Sequence, residues 1–374
     1  MFRWFPSTPS VVQLSGAFPA GSDGVKAQHA MMKRLVGALR ILPAFAVAAS
    51  ACARGPGVRF PHVSDAPVSR MIPIGPGIAL EVVDWGGRGR PLVFLAGLGN
   101  TAHVFDTFAP QFTDSFHVVG ITRRGFGASA GAPPPSSLDT LVADLTATLD
   151  SLGLGQVVLV GHSIAGEEMT RFAELHSGRC AGLVYLDAAY DRSGIDTLAS
   201  KQPSAPDPRI RPADTASFTS VRALYARVLG VEEPESDIRA TERFDAADRY
   251  RGSVTPNALK ARIASGKQVA RYDRARCRAL SLYAVPDSVA DVVPYYKELD
   301  AAGRVQAESL LTFVQGVVAD SRVRIARLPQ YQIVDVHGSN HYLFLQHPRE
   351  VAGAMRTFLG APSLRPRPIS LHGQ

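Results

Sequence analysis

The sequence predicts an α/β protein built on a parallel sheet with helices on both faces, and three observations predict it. From Pro67 to Leu359 short apolar runs alternate with longer amphipathic stretches, the order of repeated strand–helix units. The runs are apolar at consecutive positions, as in Val157–Val160, so both faces of the strand are buried. The chain has 374 residues, enough for a self-sustaining core in one α/β domain with an insertion, or at most two domains.

The elements follow in order. Val68–Ile74 and Ile78–Val83 read as two strands turned by Gly75-Pro76-Gly77, with Gly86-Gly87 closing the second. Pro91–Leu95 is a buried strand leading into Ala96-Gly97-Leu98-Gly99-Asn100, after which Ala102–Phe112 reads as a helix. Phe116–Ile121 is the next strand, and Pro133-Pro134-Pro135 is a loop. Ser137 or Asp139 can cap an amphipathic helix over Leu138–Leu152. The strand Val157–Val160 feeds a helix reaching His176, and Leu183–Leu186 is a strand again. Between Ala188 and Arg276 the alternation stops. Only short helical stretches appear there, such as Val221–Leu229 and Pro256–Ala264, in a segment too long for a plain loop. Alternation resumes with a strand over Leu280–Val285 and a helical region from Pro294 to Val318, broken near Gly303. A strand over Gln332–Val336 and a last helix over Pro348–Leu359 follow. The predicted core includes Leu92, Val93, Phe94, Val118, Val119, Val157 to Val160, Leu183, Val184 and Leu282.

The formal charge of +7 owes much to residues 1–53, where Arg3, Lys26, Lys33, Arg34 and Arg40 face Asp23 alone. No basic run is interleaved with aromatics, which argues against nucleic acid as a partner. Residues 31–53 carry a positive start (Lys33, Arg34), an apolar stretch and small residues at Ala49, Ala51 and Ala53, the layout of a secretory signal peptide. Residues 1–30 are rich in Pro, Ser and Gly without periodicity, so translation is expected to start at Met31 or Met32. Ala49-Ser50-Ala51-Cys52 has the form of a lipobox without its leucine, so either Cys52 is lipidated and tethers the protein to a membrane, or the signal is simply cleaved near Ala51 or Ala53. Export to the periplasm or beyond is the expected localisation, and residues 361–374 are expected to be a disordered tail.

Function is concentrated at Gly161-His162-Ser163-Ile164-Ala165-Gly166. Small residues at 161, 165 and 166 permit a sharp turn from strand into helix, lifting the Ser163 hydroxyl above the sheet edge beside the helix N-terminal N–H groups. This stretch resembles the nucleophile elbow of the α/β-hydrolase superfamily, G-x-S-x-G, with Ala165 in the last small position. The resemblance extends from Val68 to Leu359. It implies a mostly parallel eight-stranded sheet, with residues 54–187 and 277–360 as the core and residues 188–276 as a helical cap over the active site.

A serine hydroxyl is a weak nucleophile until a base takes its proton. The resemblance puts the base at His341, within Gly338-Ser339-Asn340-His341-Tyr342, and a structural histidine at His347 before the final helix. His337, at a strand end, is the competitor, and His162 reads as packing. A carboxylate must fix the imidazole tautomer. Ala284-Val285-Pro286-Asp287 falls on the turn that carries the family's acid, which selects Asp287, with Asp187 of Leu186-Asp187-Ala188 as the alternative acid one strand earlier. The oxyanion donors implied are the backbone N–H groups of Leu98 and Ile164. Thr122 to Ser129 resembles D-x-R-G-x-G-x-S and reads as structural. In the resembled fold the apolar runs after Cys180 and Cys277 are neighbouring parallel strands about 4.8 Å apart, so the two cysteines either form a disulfide or remain two separate buried thiols.

The function implied is a serine hydrolase, without cofactor or metal, acting on a small-molecule carboxylic ester. Lactonase, thioesterase, carbon–carbon hydrolase and haloperoxidase-like activities are the alternatives within the fold, and a non-catalytic binding protein is the alternative outside enzymes. Serine at position 163 argues against haloalkane dehalogenase and epoxide hydrolase chemistry, which uses aspartate there.

Overall fold

The structure is a computed structural model and describes residues 67–132, 134–135, 137–191, 203, 205–265 and 270–360. The expectations about the signal segment, the start at Met31 or Met32, Cys52 and the tail beyond Gly360 lie outside the described residues.

Ten strands are described. Eight form the main sheet: β1 (Val68–Gly75), β2 (Ile78–Gly86), β3 (Arg90–Leu95), β4 (Phe116–Ile121), β5 (Val157–His162), β6 (Cys180–Leu186), β9 (Ala279–Val285) and β10 (Tyr331–His337). The other two, β7 (Glu242–Phe244) and β8 (Tyr250–Ser253), pair in a small hairpin. The main sheet runs β1-β2-β4-β3-β5-β6-β9-β10. Pairing is antiparallel at β1–β2 and β2–β4 and parallel from β4 onward.

Alternation along each central strand separates two cores. Leu92, Phe94, Val158, Val160, Val184 and Leu186 join one, and Val93, Val157, Leu159, Leu183 and Tyr185 the other. That is why these strands read as unbroken apolar runs. Helices α1 (Leu138–Ser151) and α2 (Ala165–Leu175) contribute Val142, Leu145, Leu149, Met169 and Phe172 to the second core. Ser137 caps α1, its hydroxyl accepting from the Thr140 N–H at 3.2 Å.

The cap segment holds α3 (Phe218–Leu229), α4 (Glu235–Thr241), the β7–β8 hairpin and α5 (Asn257–Ser265). It is therefore mixed rather than purely helical among the described residues. After β9 comes α6 (Ala301–Ala326), and after β10 the closing helix α7 (Pro348–Leu359), which buries Val351, Met355 and Phe358 on one stripe.

Two other local expectations change. Ala102–Phe112 is two short 3₁₀ turns, Ala102–Phe105 and Ala109–Phe112, because their aromatic side chains are fixed by packing: Phe94 lies 5.0 Å from Phe105 and 6.2 Å from Phe112, centroid to centroid. Gly303 does not break α6. It sits in the first turn, its N–H donating to the capping carboxylate of Asp300 at 2.8 Å, and the helix runs unbroken from there.

Cys180, the first residue of β6, and Cys277, just before β9, form a disulfide with Cα atoms 6.0 Å apart. The parallel β6–β9 pairing, with Leu183 opposite Ala279, brings the entrances of both strands to the same height.

Candidate active site

Ser163 stands one residue past β5, with φ +56°. Left-handed backbone at a non-glycine residue costs of order 1–3 kcal/mol and persists only where surroundings impose it. Here three close approaches impose it. A Cβ on Gly161 would lie 2.6 Å from the Met169 sulfur, one on Gly166 2.2 Å from the Ala188 carbonyl oxygen, and one on Gly97 2.7 Å from His162 Nδ1 and 3.2 Å from Ser163 Cβ. The turn is packed from below by α2, from the side by the residues after β6, and from above by the β3 loop. Alanine at 165 is accommodated; glycine at 166 and 97 is required.

Asp187 occupies the equivalent place on the neighbouring strand. His162 pairs with Leu186, and Asp187 follows with φ +48°, so the two unusual residues stand side by side at the same sheet edge. The Asp187 side chain is 1% exposed and its Oδ2 lies 2.6 Å from His341 Nδ1. Its Oδ1 accepts from the Ala284 N–H at 3.0 Å and from the Tyr190 hydroxyl at 2.5 Å. A carboxylate facing Nδ1 assigns the ring proton there and leaves Nε2 as the acceptor.

His341 is held from behind as well. His162 Nε2 donates to the His341 carbonyl at 3.0 Å, and the two rings are 4.4 Å apart. His162 therefore does more than pack: it ties the histidine loop to the residue beside Ser163. His347 Nε2 donates to the Gly338 carbonyl at 3.2 Å, and Gln346 accepts from the Asn340 N–H at 2.7 Å, bracing the same loop. Ser339 donates to Val336 O at 2.6 Å, closing the turn in which Gly338 has φ +59°.

Asp287 is not brought to this histidine. It is 57% exposed and lies 3.2 Å from Nδ1 of His337, itself 66% exposed. The structure thus sets Asp187, the alternative acid, against His341, and leaves Asp287 with the rival histidine His337. The strand bearing Asp187 adjoins β5 directly, whereas Asp287 follows β9, one strand farther out. Sequence could not separate them, because each acid closely follows a buried parallel strand.

Leu98 and Ile164, the expected oxyanion residues, meet in a small third cluster with Phe126, Leu141, Leu259 and Ile263. Leu259 and Ile263 come from α5, so cap and core close over the elbow here. Thr122 to Ser129 is bound into the core as expected: Thr122 donates to Glu81 at 2.8 Å, Ser129 donates to Thr122 O at 3.0 Å, and Arg124 pairs with Asp144.

A buried polar clasp beside the histidine loop was not foreseen. The Asn100 amide donates to Glu233 at 2.8 Å and to Asp237 at 2.7 Å, and accepts from the Tyr342 hydroxyl at 3.1 Å. Asp237 also accepts from the N–H and hydroxyl of Thr101. Burial, and then the neighbouring Asp237 charge, push Glu233 up to about 8. Asp237 is raised as well, by burial against the lowering effect of its Thr101 and Asn100 bonds. The clasp joins α4 to the loop after β3, so it locks the cap onto the segment carrying Leu98. Its sequence signal, acids spaced four apart in a short amphipathic stretch, is indistinguishable from an ordinary solvated helix face.

The family profile of the Alpha/beta hydrolase family matches residues 92–354. A 2-(acetamidomethylene)succinate hydrolase of Mesorhizobium japonicum is 25% identical over 305 residues, covering 80% of this chain and 97% of its own. A putative non-heme haloperoxidase of Mycobacterium phage D29 is 29% identical over 113 residues, spanning 30% of this chain and only 41% of the relative. Among solved structures, that of an E-2-(acetamidomethylene)succinate hydrolase superposes with a TM-score of 0.58 at 20% identity, covering 79% of this chain and all of its own. A probable hydrolytic enzyme from Pseudomonas aeruginosa gives 0.54 at 19% identity, with 84% and 97% covered. The profile match spans both sides of the cap and includes the elbow, Asp187 and the histidine loop, and the chain belongs to the alpha/beta hydrolase family.

Proposed function

We propose that the protein is a serine hydrolase that cleaves small-molecule carboxylic esters through an acyl-enzyme on Ser163, with His341 as base and Asp187 as the acid that orients it. The observation that carries this reading is the buried 2.6 Å contact between His341 Nδ1 and Asp187, set beside the serine with left-handed backbone on the adjoining strand. The Ser163 hydroxyl attacks the acyl carbon while His341 Nε2 takes its proton. The resulting oxyanion is met by the N–H groups of Leu98 and Ile164. The ester C–O bond breaks, and the leaving alkoxide takes the proton from His341. Water then attacks the acyl-enzyme with His341 again as base, releasing the carboxylic acid and restoring Ser163.

A panel of p-nitrophenyl esters of rising chain length tests this. Parent enzyme is expected to turn over at least one, and Ser163→Ala to lose about 10⁴-fold or more in kcat while still folding. A Ser163→Ala variant with the parental rate would remove the nucleophile. The Mesorhizobium relative is named as a hydrolase of 2-(acetamidomethylene)succinate, so an acetamido compound belongs in the panel as the second reading. Preference for it over every ester by kcat/KM would move the assignment to that class.

Export to an oxidising compartment is part of the same proposal, supported by the Cys180–Cys277 disulfide and the signal-like residues 31–53. Cell fractionation tests it, and radiolabelled palmitate incorporated only when Cys52 is present distinguishes a lipid tether from simple cleavage. Full-length protein in the cytosol would overturn it.

A further inference from the structure

We infer that Arg123 is a positioning residue for oxyanion stabilisation, acting through the carbonyl groups of the β3 loop. The inference rests on the reading of Ser163 as the nucleophile.

Arg123 follows β4, which lies beside β3 with Ile121 opposite Leu95, so its side chain runs alongside the residues that leave β3. Its guanidinium makes three bonds. Nη2 donates to the Ala96 carbonyl at 2.8 Å, Nη1 to the Gly97 carbonyl at 3.3 Å, and Nε to Glu168 Oε1 at 2.6 Å. Both side chains are buried, 4% and 6% exposed, so little water competes for these donors.

The Gly97 carbonyl belongs to the same peptide unit as the Leu98 N–H. A trans peptide is planar with its C=O and N–H pointing in opposite directions. A guanidinium that holds the oxygen therefore turns the Leu98 N–H the other way and keeps it from rotating. Something must do this, because Gly97 and Gly99 flank Leu98, Gly99 with φ +106°, and glycines leave a peptide free to flip. The third bond reaches α2 four residues beyond Ile164, whose N–H is the second oxyanion donor. One planar fork thus connects the two segments that carry the two donors and fixes their separation. A lysine ammonium, a single point of charge, cannot serve two carbonyls and a carboxylate in that arrangement.

Two variants test the inference. Arg123→Met/Glu168→Leu removes both charges of the buried pair and so leaves neither stranded, and Arg123→Lys keeps the charge without the fork. Each is compared with parent for kcat and KM on a p-nitrophenyl ester, and for inhibition by a trifluoromethyl ketone whose adduct on Ser163 carries an oxyanion. Expected is a fall in kcat of about 10- to 100-fold, less than the loss of a whole donor, with KM within about threefold. The ketone should weaken by the same factor by which kcat/KM falls. If the double variant does not fold, Arg123→Lys decides. A kcat within about threefold of parent, or a lower kcat with unchanged ketone affinity, overturns the inference and leaves Arg123 as an ordinary buried ion pair. Parental turnover by Ser163→Ala is a separate result, which sinks the nucleophile and not the geometry of the loop.

Discussion

Replacing Asp187 with Asn keeps the size of the side chain and changes one atom. In the folded protein Oδ1 accepts from the Ala284 N–H and the Tyr190 hydroxyl, while Oδ2 faces His341 Nδ1. The Ala284 N–H cannot rotate, so the single oxygen of an asparagine must stay on its side and the NH₂ group must face the imidazole. The ring then offers its Nδ1 lone pair to the amide and carries its proton on Nε2, the nitrogen that must accept the Ser163 proton. The reversed amide would oppose NH₂ to a buried N–H, costing about 1–3 kcal/mol for the unsatisfied donor. Fold and burial survive while the base is held in the wrong tautomer, a change that costs about 10⁴ in kcat in the chymotrypsin-like proteases, or about 5.5 kcal/mol of barrier. Asp287→Asn alters only an exposed contact with His337 and should leave kcat within about twofold. The assay is kcat and KM for both variants on the best p-nitrophenyl ester, with thermal melts to confirm folding. A Asp287→Asn variant losing more than tenfold while Asp187→Asn stays active would refute the assignment and restore the turn after β9 as the site of the acid.

Other outcomes follow from the same contacts. Glu233 keeps its proton in the folded protein up to about pH 8 but releases it near the ordinary 4.5 when unfolded, so folding takes up a proton between these values. Its contribution to stability is therefore full below about 4.5 and lost as pH rises through about 8; melting temperature should fall by a few degrees or more between pH 6 and 9, and Glu233→Gln should flatten that slope. Gly166→Ala drives a Cβ to 2.2 Å from the Ala188 carbonyl and should destabilise by at least about 1–3 kcal/mol in urea unfolding, with loss of activity; an unchanged midpoint would show that the turn has room. Reducing the Cys180–Cys277 bridge, which closes a separation of 97 residues, should lower stability by about 2–5 kcal/mol, read as a shift in urea midpoint with and without reductant.

Much of the fold was legible because its strands are buried on both faces. Val157–Val160 and Leu183–Leu186 carry no charged residue, and runs this short, rich in branched and aromatic side chains and spaced by helical stretches, suit strands covered on both faces. Ser163 was legible for a related reason: the small residues around it are needed by the chain's own crowding, and that need is written locally. The 3₁₀ turns at Ala102–Phe112 were not, since the same phenylalanines suit a helix and only their packing around Phe94 decides between the two.

The sequence by itself determined which residues could do chemistry: a serine in a forced turn, a histidine before the last helix, and two acids each closely following a parallel strand. Tertiary structure decided which acid meets His341. Asp187 and Asp287 are alike in type and local pattern, and differ in the order of strands across the sheet, which places one carboxylate dry beside His341 and the other in water beside His337. It also brought Arg123 to Glu168, a bond that spans 45 residues of chain and forms across the top of β3 because β4 and β5 flank that strand on either side. Chain-local patterns record what a backbone must do to its neighbours; desolvation and partner choice depend on residues far away in the sequence, and only the closed fold brings those together.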